Sequence, residues 1–291
     1  NLNNILNKKV TMKEKKTNDN LYRYSAESPV RFIIVVLLYI MGAVSFPTEI
    51  FTFFLGSSKA AELFSLFLAR AICSILPIWL MGEIRVKNLF SVKGIWKNCW
   101  LFIPFFIVAI NNFPIFPLAF GEVTFVDCDF LTVICYLLAC LGGVVLEETV
   151  FRGLVFPVIY RRLYQKKYGT FLSLLLSSAL FGVTHLLNLL AGASFGGVIM
   201  QIGYSFLIGG MCAIATLFSG KIAYAYALHF IFNIGGLLMD KSMIDGIIWT
   251  PLTITLTAVI GVLTSVYALV LLFKKKDDFY SQINYISPDL K

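Results

Sequence analysis

Apolar runs long enough to cross a bilayer recur from residue 30 to residue 273, and the polar segments between them are too short to hold a soluble domain. A helical crossing needs about 20 apolar residues. The runs that meet this are Val30–Leu55, Ala60–Met81, Trp100–Phe120, Phe130–Tyr160, Phe171–Ala191, Val198–Phe218, Ile222–Met239 and Ile247–Phe273. Lipid offers no partner to backbone N–H and C=O groups, so such runs must satisfy them internally, as helices do. The expected fold is therefore all-α, a polytopic membrane bundle of about eight transmembrane helices. Composition agrees: 58% of residues are hydrophobic and 14% charged, with 27 Phe, where a soluble domain carries about 25% charged residues.

The charges lie where a membrane protein keeps them. Lys8, Lys9, Lys13, Lys15, Lys16, Arg23 and Arg31 precede or open the first span, and Arg85, Lys87, Lys93 and Lys97 follow the second. Arg161, Arg162, Lys166 and Lys167 follow the fourth, Lys221 the sixth, and Lys274, Lys275 and Lys276 the eighth. The alternate connections hold only Lys59 and Lys241, together with the acidic Glu122, Asp127 and Asp129. By the positive-inside rule both termini are expected in the cytoplasm. The net charge of +8 is thus read as topology, and no nucleic-acid partner is expected. Residues 1–27 read as a polar, Lys-rich cytoplasmic tail without the apolar core of a signal peptide, 28–276 as one membrane domain, and 277–291 as a short cytoplasmic tail. The six Cys form no C-x-x-C pair and are expected to pack as small hydrophobes rather than as disulfides or metal ligands.

Ionisable groups inside a span are costly, about 2.5–3.5 kcal/mol each on insertion scales, and mark functional sites. Span four holds Glu147-Glu148-Thr149-Val150-Phe151-Arg152, span five holds Phe181 to His185, and span seven holds His229 to Asn233. These are the two His of the whole chain. Glu147 lies 14 residues before the basic boundary at Arg161, and His185 lies 15 residues after Thr170. At about 1.5 Å per residue both are roughly 21–22 Å from the same face. His229 and Asn233, 8 and 12 residues beyond Lys221, reach about 12 and 18 Å. One layer can hold all of them. Residues four apart share a helix face, so Glu148 can pair with Arg152, and His229 can act beside Asn233. A buried carboxylate near His suits a general base, but spacing alone leaves open which Glu serves.

The motifs E-E-x-x-x-R, F-x-x-x-H and H-x-x-x-N, in this order on spans four, five and seven, resemble the CAAX protease and bacteriocin-processing (CPBP, or Abi) family, whose relatives include the Ras-converting CAAX endopeptidase. The resemblance covers roughly residues 130–240 without a departure in any motif. It implies an intramembrane endopeptidase that hydrolyses a peptide bond of a membrane-associated protein or peptide precursor. It implies that Glu147 and His185 activate water, that His229 and Asn233 stabilise the oxyanion, that Phe181 supports them, and that Glu148–Arg152 is a structural ion pair. The family is often described as metalloproteases, so a zinc site on His185, His229 and Glu147 is the cofactor to test. The H-E-x-x-H spacing that surrounds zinc on one helix is missing, which favours a metal-free, glutamate-based mechanism.

Two readings from other classes compete. A non-catalytic bacteriocin-immunity or scaffold protein would use the same fold, and the polar clusters would then only fix helix packing. A transporter also carries intramembrane charge, but no inverted repeat or pair of broken helices is visible. Arg70 in span two and Glu49 in span one are further intramembrane charges; an ion pair between them is one expectation, and a gating or substrate-binding role is the alternative. The Lys-, Asn-, Ile- and Phe-rich composition suggests a bacterial plasma membrane, where peptide maturation or self-immunity would be the task. The expected partners are the substrate and the bilayer; the sequence specifies no oligomeric state.

Overall fold

The computed structural model describes residues 24–25, 28–190, 192–238, 243–247 and 250–274. Most of the two tails expected from the sequence, and Lys241, lie outside these residues. In chain order the elements are α1 (Pro29–Val44), α2 (Glu49–Leu55), α3 (Lys59–Met81), α4 (Glu83–Leu89), a 3-10 turn (Cys99–Phe102), α5 (Ile103–Asn111), α6 (Ile115–Ala119) and β1 (Val123–Phe125). Then come α7 (Phe130–Glu148), a π turn (Thr149–Val155), α8 (Phe156–Leu163), α9 (Gly169–Thr184), a 3-10 turn (His185–Leu189), α10 (Phe195–Ser219), α11 (Ala223–Leu238), β2 (Ile244–Gly246) and α12 (Pro251–Lys274).

The molecule is an all-α membrane bundle. Among the described residues six helical stretches are long and apolar enough to cross a bilayer: Pro29–Leu55, Lys59–Met81, Phe130–Leu163, Gly169–Leu189, Phe195–Ser219 and Pro251–Lys274. The expected span Trp100–Phe120 is instead a shorter apolar helix, Cys99–Asn111, followed by a turn and the five-residue α6. The interruption has a chemical cause. Pro114 and Pro117 cannot donate to a continuing helix, and Asn112 turns its side chain to donate to Phe232 O of α11 at 2.7 Å. Helix α11, at 16 residues, is also shorter than a usual crossing. Hydropathy sees length and polarity, but not that neighbouring helices satisfy these shorter segments.

α10 is the axis of the bundle. Half of its most apolar window is buried inside the protein, against 22% for α1–α2, α3 and α12, which therefore turn most of their surface outward. α3 lies along α7, α9 along α10, and α10 along α11. The main core runs through Phe102, Phe105, Phe151, Phe156, Tyr160, Phe181 and the inward face of α10, all buried. Large residues such as Phe53, Phe54, Phe130 and Leu190 are exposed, as lipid-facing positions should be. Buried Ser side chains settle their own polarity by donating to the carbonyl four residues back, as at Ser65, Ser173 and Ser178. All six Cys are free thiols. Outside the bundle β1 pairs antiparallel with β2, Val123 opposite Gly246, and ties the chain before α7 to the chain before α12.

Candidate active site

The long α7 stretch changes winding where its chemistry begins. α7 ends at Glu148, and Thr149–Val155 form a π turn, all seven residues buried. π turns inside α-helices recur at functional sites because the extra residue re-aims the side chains around it. Here Pro157, which lacks an N–H, relieves Gly153 of its usual i+4 donor. Thr149 Oγ1 meets the Tyr226 hydroxyl at 2.7 Å, pinning the turn to α11.

Glu147 and Glu148, neighbours in sequence, do different things. Glu148 is fully buried. Its Oε2 lies 2.9 Å from Arg152 Nε, and its Oε1 is 2.8 Å from His229 Nδ1. Arg152, also buried, donates from Nη2 to Gly209 O at 2.6 Å and lies over the Phe181 ring, 4.9 Å from its centroid. The cation is thus shared among a carboxylate, a carbonyl of α10 and an aromatic face. Removing one partner from such a buried set leaves an uncompensated charge. Glu147 points the other way, into a cavity of about 480 Å³ that His185, His229 and Asn233 also line.

Each imidazole is held by its Nδ1. At the end of α9 the backbone N–H of His185 turns to Gly182 O and Val183 O, which leaves Phe181 O without its i+4 donor. His185 Nδ1, at 3.1 Å, and Thr184 Oγ1, at 2.7 Å, take that carbonyl. A carbonyl only accepts, so Nδ1 of His185 carries a proton, and in the neutral ring Nε2 is then the acceptor. Nε2 lies 3.4 Å from Ser205 Oγ. His229 instead offers Nδ1–H to Glu148 and turns Nε2 toward Glu147, whose Oε2 is 3.7 Å away. Phe181 stands between the two rings, edge to face with both, at centroid distances of 5.3 and 5.6 Å.

All four candidate catalytic side chains therefore border one cavity. Among the described residues Glu147 makes its ion-pair contact with His229, not with His185. The expected Glu49–Arg70 pair does not form. Glu49 is exposed at the start of α2, and Arg70 donates to Val44 O at 3.5 Å and faces the cavity. Among the described residues no group of three or more His, Cys, Asp or Glu is placed to hold a metal ion. Both imidazoles engage a partner through Nδ1 and turn Nε2 toward the cavity.

The sequence reading missed the contribution of α10. Gln201, Ser205 and Gly209 recur every four residues on that apolar helix, so they share one face. Gln201 accepts from Asn188 at 2.6 Å, Ser205 meets His185, and Gly209 accepts from Arg152. The stripe is present in the sequence, but nothing there ties it to His185 or Arg152. A Cβ at Gly209 would lie 2.9 Å from Phe181 and 3.3 Å from Arg152 Nη2, so glycine is what lets these side chains reach α10.

Residues 129–235, the segment from the cap of α7 to the last turn of α11, match the family model for type II CAAX prenyl endopeptidase Rce1-like proteins. No curated protein and no solved structure matches the chain. That segment carries Glu147, Glu148, Arg152, Phe181, His185, His229 and Asn233, and through it this multi-pass membrane protein is similar to the type II CAAX prenyl endopeptidase Rce1-like proteins.

Proposed function

We propose that the chain is an intramembrane endopeptidase that hydrolyses a peptide bond of a membrane-associated protein or peptide precursor. The observation that carries this reading is the meeting of Glu147, His185, His229 and Asn233 on one cavity within an otherwise apolar bundle. Evolution rarely keeps such a set in lipid without use. Glu147 is the general base. It takes a proton from a water that His185 Nε2, an acceptor by virtue of the bond from Nδ1 to Phe181 O, helps to orient. The hydroxide attacks the scissile carbonyl. His229 in its protonated form offers Nε2–H, with Glu148 on Nδ1 balancing the charge, and together with the Asn233 amide it stabilises the oxyanion. Glu147 then returns its proton to the leaving amine. No step requires a metal. The setting is a bacterial plasma membrane and the task maturation of a secreted or membrane peptide.

Comparison of the secreted peptides of the wild-type strain and a strain carrying Glu147→Ala, by mass spectrometry, tests the proposal. A peptide lost in the variant and replaced by its longer precursor is the expected result. Identical peptide profiles, with the cellular phenotype intact in a folded Glu147→Ala/His185→Ala double variant, would favour the non-catalytic immunity or scaffold role instead.

A further inference from the structure

Arg70 is the intramembrane charge that the chemistry above leaves unused. It sits in the middle of α3, eleven residues from Lys59 and eleven from Met81, or about 16 Å from either end. An arginine side chain cannot snorkel that far to water or to lipid phosphate. Among the described residues its guanidinium makes one long hydrogen bond, to Val44 O at 3.5 Å, and no ion pair. A cation at that depth is expensive and calls for a partner.

The cavity shows what kind. Besides the two imidazoles, Arg70 and Glu147 are the ionisable Lys, Arg, Asp or Glu side chains among its described lining residues. Gly142 brings α7 against α3 so closely that a Cβ there would lie 3.3 Å from Arg70 Cβ. Glu147 is five residues further along the same helix, an axial rise of about 7.5 Å. The two opposite charges therefore face one space from neighbouring levels without closing it as an ion pair. At about 3.3 Å per residue an extended peptide would cover that offset in two or three residues.

We propose that Arg70 binds a carboxylate of the substrate inside the cavity and so fixes the register in which the scissile carbonyl meets Glu147. The proposal rests on the endopeptidase reading for the peptide nature of the occupant. A guanidinium's planar fork matches a carboxylate in two parallel hydrogen bonds. The carboxylate comes from a free C-terminus or from an Asp or Glu side chain. A lipid phosphate, which belongs at the interface, lies too far from the middle of α3.

The test measures binding rather than turnover. The full chain in detergent, as wild type, Glu147→Gln, Arg70→Gln and Arg70→Lys, is titrated with three palmitoylated apolar hexapeptides. One ends in a free carboxylate, one in an amide, and one in an amide with a single Glu near its end. Thermal-shift midpoints give Kd. Wild type and Glu147→Gln are expected to bind a carboxylate-bearing probe at least tenfold more tightly than the plain amide. The difference should vanish in Arg70→Gln and shrink in Arg70→Lys, which keeps the charge but loses the fork and also guards against misfolding of the glutamine variant. Preference for the free acid identifies the C-terminus, and preference for the Glu-bearing amide a side chain. Equal binding of acid and amide by wild type, no binding of any probe, or an acid preference that survives Arg70→Gln overturns the proposal. So does an Arg70-dependent shift produced by phosphatidylglycerol and not by the peptides. Because Glu147→Gln binds without cleaving, absence of proteolysis with Arg70-dependent acid binding would sink the endopeptidase reading alone.

Discussion

Two adjacent glutamates divide the labour of the site by their rotation about α7. Glu148, buried between Arg152 and His229, is a brace; Glu147, on the cavity wall, is free to meet water. Glu148→Ala strands the Arg152 cation and frees His229 Nδ1. It is expected to cost about 3–5 kcal/mol of stability, the usual penalty for breaking a buried pair, read as a lower unfolding midpoint in detergent, and to abolish activity. The proposed mechanism uses no metal, so purified active protein is expected to carry no stoichiometric zinc and to keep its activity after chelation. Metal at one equivalent, lost together with activity, would reverse the assignment of Glu147 as a metal-free base.

At the scale of elements the site is made where helices depart from regularity. The π turn after Glu148, the 3-10 turn that starts at His185 and the close approach of α10 at Gly209 each free or re-aim a group that a straight helix would hide. Gly209→Val would push against Phe181 and Arg152. Overpacking of this kind typically costs about 1–3 kcal/mol, and here it should also lower kcat by displacing Phe181 from between the two imidazoles. Gly203→Ala, on the same helix with open space around it, is the control expected to leave both unchanged. Much of this was legible in the sequence. The paired Glu, the two His and Asn233 stood out because charge and imidazole are costly in apolar runs, and i+4 spacing proposed both the Glu148–Arg152 and the His229–Asn233 relations. Less legible was what depends on a partner helix. The second bond of Glu148 goes to α11 and the first acceptor for Arg152 outside its own helix is on α10. Likewise Trp100–Phe120 reads as a continuous span until Asn112 is seen bonding α11.

Across the whole molecule, outer helices α1, α3 and α12 present apolar surface, while the polar groups converge on the face that α7, α9, α10 and α11 share. Hydrolysis within such a bundle needs water beside a half-buried carboxylate, and the 480 Å³ cavity supplies the room. The site, the cavity and the substrate must then work together in one reconstituted protein. The most direct measurement is cleavage of the precursor peptide identified from cells, by pure protein in liposomes, followed by mass spectrometry for wild type and Glu147→Gln. Wild type is expected to release a product cut at one bond, and Glu147→Gln, equally folded, to be slower by about 10²–10⁴-fold, the range for loss of a general base. Cleavage by Glu147→Gln at the wild-type rate would contradict the account at its centre.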